Sequence, residues 1–259
     1  MDLAAAEWPV WTEPLKIRSY DVDFTRRVTS ASLCRHFLEA AWNHAEALGV
    51  GFNQLAGQRK FWVLSRLRME VHQCPLWGST TTLRTWPRAP RSLFAMRDFE
   101  VADAAGTPIV AGSSAWLVVD AASKRPQRLN TLLAGLEGLY GNAALSRDPV
   151  KLESYEDWGH AFSVEVRYAD IDVNRHVNSS RYIDWMLDAY PLQFHHEHYL
   201  RVLEVNFLGE TLEGDVLSVR TRQAGARVYF HSLIKIGGPE TCRARLEWEP
   251  TPAARSVAG

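Results

Sequence analysis

Cysteine is scarce in this 259-residue chain. Cys34, Cys74 and Cys242 are far apart and odd in number, with no C-x-x-C pair and no metal-ligand spacing. A disulfide scaffold and a structural zinc site are thereby excluded, and a reduced interior is expected. Long apolar runs are missing too, and none reaches the roughly 18 residues of a membrane span. Neither sign of charge dominates, since 29 Lys and Arg stand against 30 Asp and Glu. A net charge of −1 argues against a nucleic-acid binder held by phosphate neutralisation. Met1 to Pro14 holds Asp2, Glu7 and Glu13 and no basic residue, which is wrong for a signal or transit peptide. A cytoplasmic location is the expectation.

What is present is a large apolar fraction, 46%, enough for one large domain or two ordinary ones. The most informative stretch runs from Tyr168 to Tyr182. It packs carboxylates, amides, an imidazole and hydroxyls between a strand-like run (Phe162 to Tyr168) and a helix-like run (Arg181 to Tyr190). Asp172, Asn174 and His176 alternate, so in an extended segment their side chains share one side. Asn178 stands where a helix N-cap belongs, and the free N–H groups of that turn face a place for a developing oxyanion. Acyl chemistry fits this set, and so does a plain polar turn with an Asn cap.

The same order occurs earlier. A strand candidate that starts at Leu15 and ends at the polar turn Tyr20 to Thr29 is followed by a helix candidate from Ser30 to Leu48 with Gly49 as its stop. Asp23 aligns with Asp172 at an offset of 149, and Asp21, Val28, Ser30, Leu38 and Ala40 then meet identical residues. Such a match is an internal repeat. Four strand candidates follow each helix. They are Phe61 to His72, Thr80 to Trp86, Leu93 to Ala102 and Ile109 to Val119, then Leu200 to Phe207, Val216 to Arg222, Arg227 to Ile236 and Cys242 to Trp248. Asp103-Ala104-Ala105-Gly106 and Gly237-Gly238-Pro239-Glu240 mark hairpin turns. Asp120 to Asp157 links the halves and carries a short helix candidate, Leu129 to Leu139.

The expected class is α+β, two antiparallel five-stranded sheets each wrapped around one long helix. Pairing their edge strands would remove two exposed edges. The domain reading is 1–128, a linker at 129–157, and 158–259. Strand, polar turn and helix wrapped by antiparallel sheet is the hotdog arrangement. A tandem pair with Asp172-Val173-Asn174-Arg175-His176-Val177-Asn178 in its second copy resembles the acyl-ACP thioesterases of plants and bacteria. The likeness runs from about Leu15 to Trp248.

That resemblance implies hydrolysis of fatty acyl-[acyl-carrier-protein] to free fatty acid, with no cofactor or metal. It implies that Asp172, Asn174 and His176 are catalytic together with a Glu from a later segment. Ungapped alignment back from Val216 puts that residue at Glu210, with Glu204 and Glu213 as nearby alternatives. Thr211 stands where plant enzymes often have Cys, which argues against a cysteine nucleophile. Asp172 can orient His176 or attack the carbonyl itself, and both mechanisms stay open.

In the first copy, Asn174 is replaced by Thr25 and His176 by Arg27, so one active site per chain is expected. The resemblance gives the first half the acyl pocket, with Phe37, Trp42, Trp62, Leu64 and Trp116 as candidate lining. Residues 1–128 hold 16 basic against 12 acidic residues. Acyl carrier protein, which is acidic, is the implied partner, steered by Arg59, Lys60, Arg66, Arg68, Arg84, Arg88, Arg91 and Arg97. Whether the chain forms a homodimer is left open. His195-His196-Glu197-His198 has a metal-like composition, but adjacent histidines point different ways, and a solvated surface loop is the expectation there. An acyl-CoA thioesterase and a non-catalytic acyl- or carrier-binding module are the rival readings.

Overall fold

The computed structural model describes residues 10–129 and 132–252. In the first half the chain forms β1 (Trp11–Lys16), α1 (Ser30–Ala47), α2 (Phe52–Ala56), β2 (Lys60–Val71), β3 (Thr80–Arg91), β4 (Phe94–Ala102) and β5 (Pro108–Asp120). The second half repeats the order with β6 (His160–Glu165), α3 (Ser179–Leu187), α4 (Leu192–Glu197), β7 (His198–Phe207), β8 (Val216–Gly225), β9 (Val228–Lys235) and β10 (Glu240–Pro250). Both long helices start on a side-chain cap. Thr29 Oγ1 accepts from Ser32 N at 3.1 Å, and Asn178 does the same service for α3. The short α2 and α4 carry too few periodic residues to be read from the sequence.

The ten strands form one sheet in the order β1-β3-β4-β5-β2-β7-β10-β9-β8-β6, with every neighbouring pair antiparallel. The two expected five-stranded units meet edge to edge and so make one continuous sheet. The reason is the edge: β2 and β7 would each present unpaired N–H and C=O groups, and they satisfy each other from Arg66↔Asn206 to Glu70↔Val202. At this seam Arg68 lies opposite Glu204, with Nη1 2.8 Å from Oε2 and both side chains buried. The strand order reads the same from either end, so the halves are related by a pseudo-two-fold axis between β2 and β7.

Two local expectations change. The first strand begins upstream of the expected Leu15 and stops at Lys16, short of the expected turn at Tyr20, because buried Asp21 accepts from Arg18 N at 2.8 Å and curls Ser19–Asp21 into a 3-10 turn. The Leu129 to Leu139 helix is replaced by turns and a 3-10 turn at Glu137–Leu139, with Gly135 at φ +89°. Asn130 and Thr131 of that segment lie outside the described residues.

Side-chain alternation gives the sheet two working faces. On one, α1 and α3 lie side by side over a single apolar core drawn from both halves. Phe37 of α1 stacks on Phe99 at 4.5 Å, and Gly112 leaves room for that ring, since a Cβ there would sit 2.6 Å from it. Two histidines are sealed in the interior. His44 accepts from Arg97 Nη1 at 3.0 Å, and His231 lies 2.8 Å from the Tyr190 hydroxyl. Burial pushes both imidazoles down to about 3, with the Arg97 charge adding to the effect at His44. The other face carries the linker. Ala144 N donates to Asp98, Val150 N to Glu204 and Leu152 N to Asn206, each at 2.7–2.8 Å.

Candidate functional site

The polar stretch opens with a 3-10 turn over Tyr168–Asp170. Buried Asp170 accepts from Arg167 N at 2.9 Å and from Arg181 Nε at 2.7 Å, which ties the turn to the helix behind it. Between Ile171 and Val177 the chain makes a tight loop. Asp172 N donates to His176 O at 2.9 Å, and Arg175 takes φ +64°. The expected extended segment, with Asp172, Asn174 and His176 on one side, is therefore not what forms. The Asp172 carboxylate is the cause. Its Oδ1 accepts from Asn174 N at 2.8 Å and His176 N at 3.4 Å, an Asx-type turn that curls the backbone around it.

With Asp172 holding the loop, the exposed Asn174 amide makes no hydrogen bond among the described residues. Asn178 caps α3 as its position suggested, accepting from Ser180 N at 2.9 Å and Ser180 Oγ at 2.8 Å. Arg35 of α1 reaches across and donates to Ser180 Oγ at 3.2 Å. Sequence reasoning missed Arg35, although the 149 offset sets it on Asp184, its ion-pair partner at 3.5 Å. The Ser179 N–H has no partner among the described residues and lies at the positive end of α3.

Three carboxylates were candidates for the fourth position. Glu204 is taken by the seam, bound to Arg68 and Val150 N. Glu213 is exposed and lies off the cleft. Glu210 follows β7, where Thr211 O accepts from Val177 N at 2.9 Å and brings this segment beside the loop. Its Oε2 stands 3.5 Å from His176 Nε2, and its Oε1 stands 3.2 Å from Lys124 Nζ. Lys124 gave no signal in the sequence, being one cation in a polar turn.

These groups open into a cleft of about 1450 Å³. Asp172, Asn174, His176 and Glu210 line it from the second half, and Trp42, Trp62, Leu64 and Trp116 line it from the first. Phe37 does not reach it, because its ring is fully buried against Phe99. Tyr182 also lines it, and burial pushes its phenol up, so the hydroxyl stays protonated near neutral pH. No thiol faces the cleft, and burial raises Cys34 to about 12 and Cys74 to about 11. Among the described residues, no three His, Cys, Asp or Glu gather as a metal site.

The first copy makes the same loop with different chemistry. Asp23 Oδ1 accepts from Thr25 N at 2.8 Å, and Arg26 takes φ +65°. Arg27, at the place of His176, donates to His195 O at 2.6 Å and Thr251 Oγ1 at 2.5 Å in the second half. The His195 to His198 cluster is the last turn of α4 and the first residue of β7, not a surface loop. His195 Nε2 is 3.0 Å from Leu187 O and His198 Nδ1 3.2 Å from Phe194 O, so the rings turn toward the protein. The expected basic field is also dispersed. Arg68 and Arg97 are buried and Arg88 is held by Asp98 and Asp148, while Arg59 and Lys60 line the cleft together with Lys124, which was not among the expected residues.

Sequence models of the acyl-ACP thioesterase N-terminal and C-terminal domains match residues 9–133 and 156–250. A chloroplastic dodecanoyl-[acyl-carrier-protein] hydrolase of Cinnamomum camphora is 28% identical over 93% of this chain and 68% of its own length. A chloroplastic palmitoyl-acyl carrier protein thioesterase of Gossypium hirsutum is 25% identical over 96% of this chain and 66% of its own. Among solved structures, an acyl-ACP thioesterase from Bacteroides thetaiotaomicron superposes with a TM-score of 0.84 at 26% identity, covering 93% of this chain and 98% of that one. A 12:0-ACP thioesterase from Umbellularia californica gives 0.85 at 25% identity, with the same coverage.

Proposed function

The chain belongs to the acyl-ACP thioesterase family, and from that premise we propose how its residues carry out the reaction. It is a thioester hydrolase that acts on fatty acyl-[acyl-carrier-protein] and releases free fatty acid. The observation that carries the residue assignment is the 3.5 Å approach of Glu210 to His176 at the mouth of a cleft walled by tryptophans of the other half.

Glu210 takes a proton from water, and the resulting hydroxide adds to the thioester carbonyl. A well-placed base is worth roughly 10²–10⁴-fold. The carbonyl oxygen becomes an oxyanion that receives hydrogen bonds from the Asn174 amide and the Ser179 N–H. Losing one such donor costs about 10²–10³ in rate. His176 positions the water and passes the proton to the departing thiolate. Asp172 is assigned to shaping the loop, since its Oδ1 accepts from two backbone N–H groups.

The architecture is read as two hotdog units fused edge to edge, one within 1–128 and one within 158–259, with 129–157 as the link. The apolar cleft takes the acyl chain, and the carrier approaches on the side of Arg59, Lys60 and Lys124. Among the described residues no helix is long and apolar enough to cross a membrane.

The test is free-thiol release from a panel of acyl-ACP and matching acyl-CoA substrates. Wild type hydrolyses acyl-ACP well ahead of acyl-CoA, and His176→Ala and Glu210→Gln each lose about 10²-fold or more in kcat. Equal rates on the two carriers would move the assignment to an acyl-CoA thioesterase. Full activity in both variants would remove these residues from the mechanism.

A further inference from the structure

The half that supplies the tryptophans also sends a charge into the site. Lys124 follows β5 on a turn held by Asp120, whose Oδ1 accepts from Ser123 N at 2.8 Å, Ser123 Oγ at 2.9 Å and Ala122 N at 3.1 Å. Lys124 N donates to Asp120 O at 2.9 Å, and the residue takes φ +55°. This turn aims the side chain out of the first half, past the Phe61 ring at 5.2 Å, onto Glu210 Oε1 at 3.2 Å. Among the described residues, no other Lys or Arg lies within 4 Å of Glu210.

We propose that Lys124 is a positioning residue for hydrolysis, fixing the Glu210 carboxylate so that its second oxygen faces His176. The proposal rests on the reading of Glu210 as the water-activating base. Glu210 sits on an irregular segment between β7 and β8, with three side-chain torsions to settle. A lysine on one oxygen settles them, leaving the other oxygen toward His176. Both partners are near half exposed, so in the empty cleft the pair is a weak one. An acyl thioester entering the cleft displaces water around it, and the attraction then strengthens. Hydrolytic competence in the second half thus depends on a turn in the first, 86 residues away along the chain.

Carrier docking is the competing role for an exposed lysine at this mouth, and substrate choice separates the two. The variants Lys124→Met and Lys124→Arg are assayed with acyl-ACP and with the same acyl group on N-acetylcysteamine, which has no carrier. The expected result is a fall of about fivefold in kcat for Lys124→Met on both substrates, with KM little changed. Lys124→Arg restores kcat to within about twofold, because it keeps the charge. In a Glu210→Gln background, Lys124→Met has no further effect. A loss confined to KM for acyl-ACP would overturn the proposal in favour of docking. An equal loss in the Glu210→Gln background, or no loss at all, would also overturn it. Full activity of Glu210→Gln alone would instead remove the underlying assignment of the base, a separate outcome.

Discussion

Asp172 illustrates how a residue's type can be legible while its work is not. The spacing Asp172, Asn174, His176 singles out a candidate site by type, although a plain polar turn carries the same residues. The spacing does not reveal that the carboxylate faces its own backbone. Nor does it reveal Lys124 or Arg35, which reach the site only through tertiary contact. The role of Asp172 is open to a direct test. Asp172→Asn keeps an Oδ1 acceptor for the loop N–H groups and should retain activity to within about tenfold. Asp172→Ala removes that acceptor and should lose about 10²-fold, as the donors shift. Equal, near-complete loss in both variants would identify Asp172 as a nucleophile.

At the scale of elements, strands were read well, since alternation is a local property. The Cys242 to Trp248 run alternates as expected, with Cys242, Ala244, Leu246 and Trp248 buried. The first strand was displaced because Asp21, a residue that looks exposed by type, is buried as the acceptor that ends it. Close approach between elements was not legible either. Gly112 reads as a weak point in β5, yet its missing Cβ is what admits the Phe37 ring between α1 and the sheet. Gly112→Ala should cost about 1–3 kcal/mol through overpacking, measured by urea unfolding. Phe37→Leu, which removes the clashing ring atoms, should recover part of that loss in the double variant.

For the whole molecule, the offset of 149 gave two equivalent halves, and edge satisfaction implied how they meet. The buried polar seam was not visible, because Arg68 and Glu204 read as surface charges in separate strands. Arg68→Met should destabilise the protein by about 3–5 kcal/mol by leaving Glu204 buried beside only Val150 N and the half-exposed Arg147. Adding Glu204→Leu should return most of it. Acid should act on the whole fold as well. His44 and His231 are held near 3 when folded and titrate at about 6.5 when unfolded, so the unfolded chain binds more protons between those values. Stability therefore falls as pH drops through 6.5, by about 2 kcal/mol for each histidine between pH 7 and pH 5. Urea titrations at the two values check this, and His231→Gln should reduce the dependence.

Arg27 carries a last consequence. Two identical subunits related by a true two-fold axis must present the same side chain at both of their sites. A histidine gained or lost in one is gained or lost in the other. Covalent continuity removes that obligation, because positions 27 and 176 are inherited and altered independently. One loop can be retired into a clasp between halves while its counterpart keeps the imidazole. The freedom has a cost in redundancy. A symmetric pair with one damaged member still turns over at half rate, whereas on the proposed assignment this chain has no spare, and a single lesion at His176 would reach every site the polypeptide has.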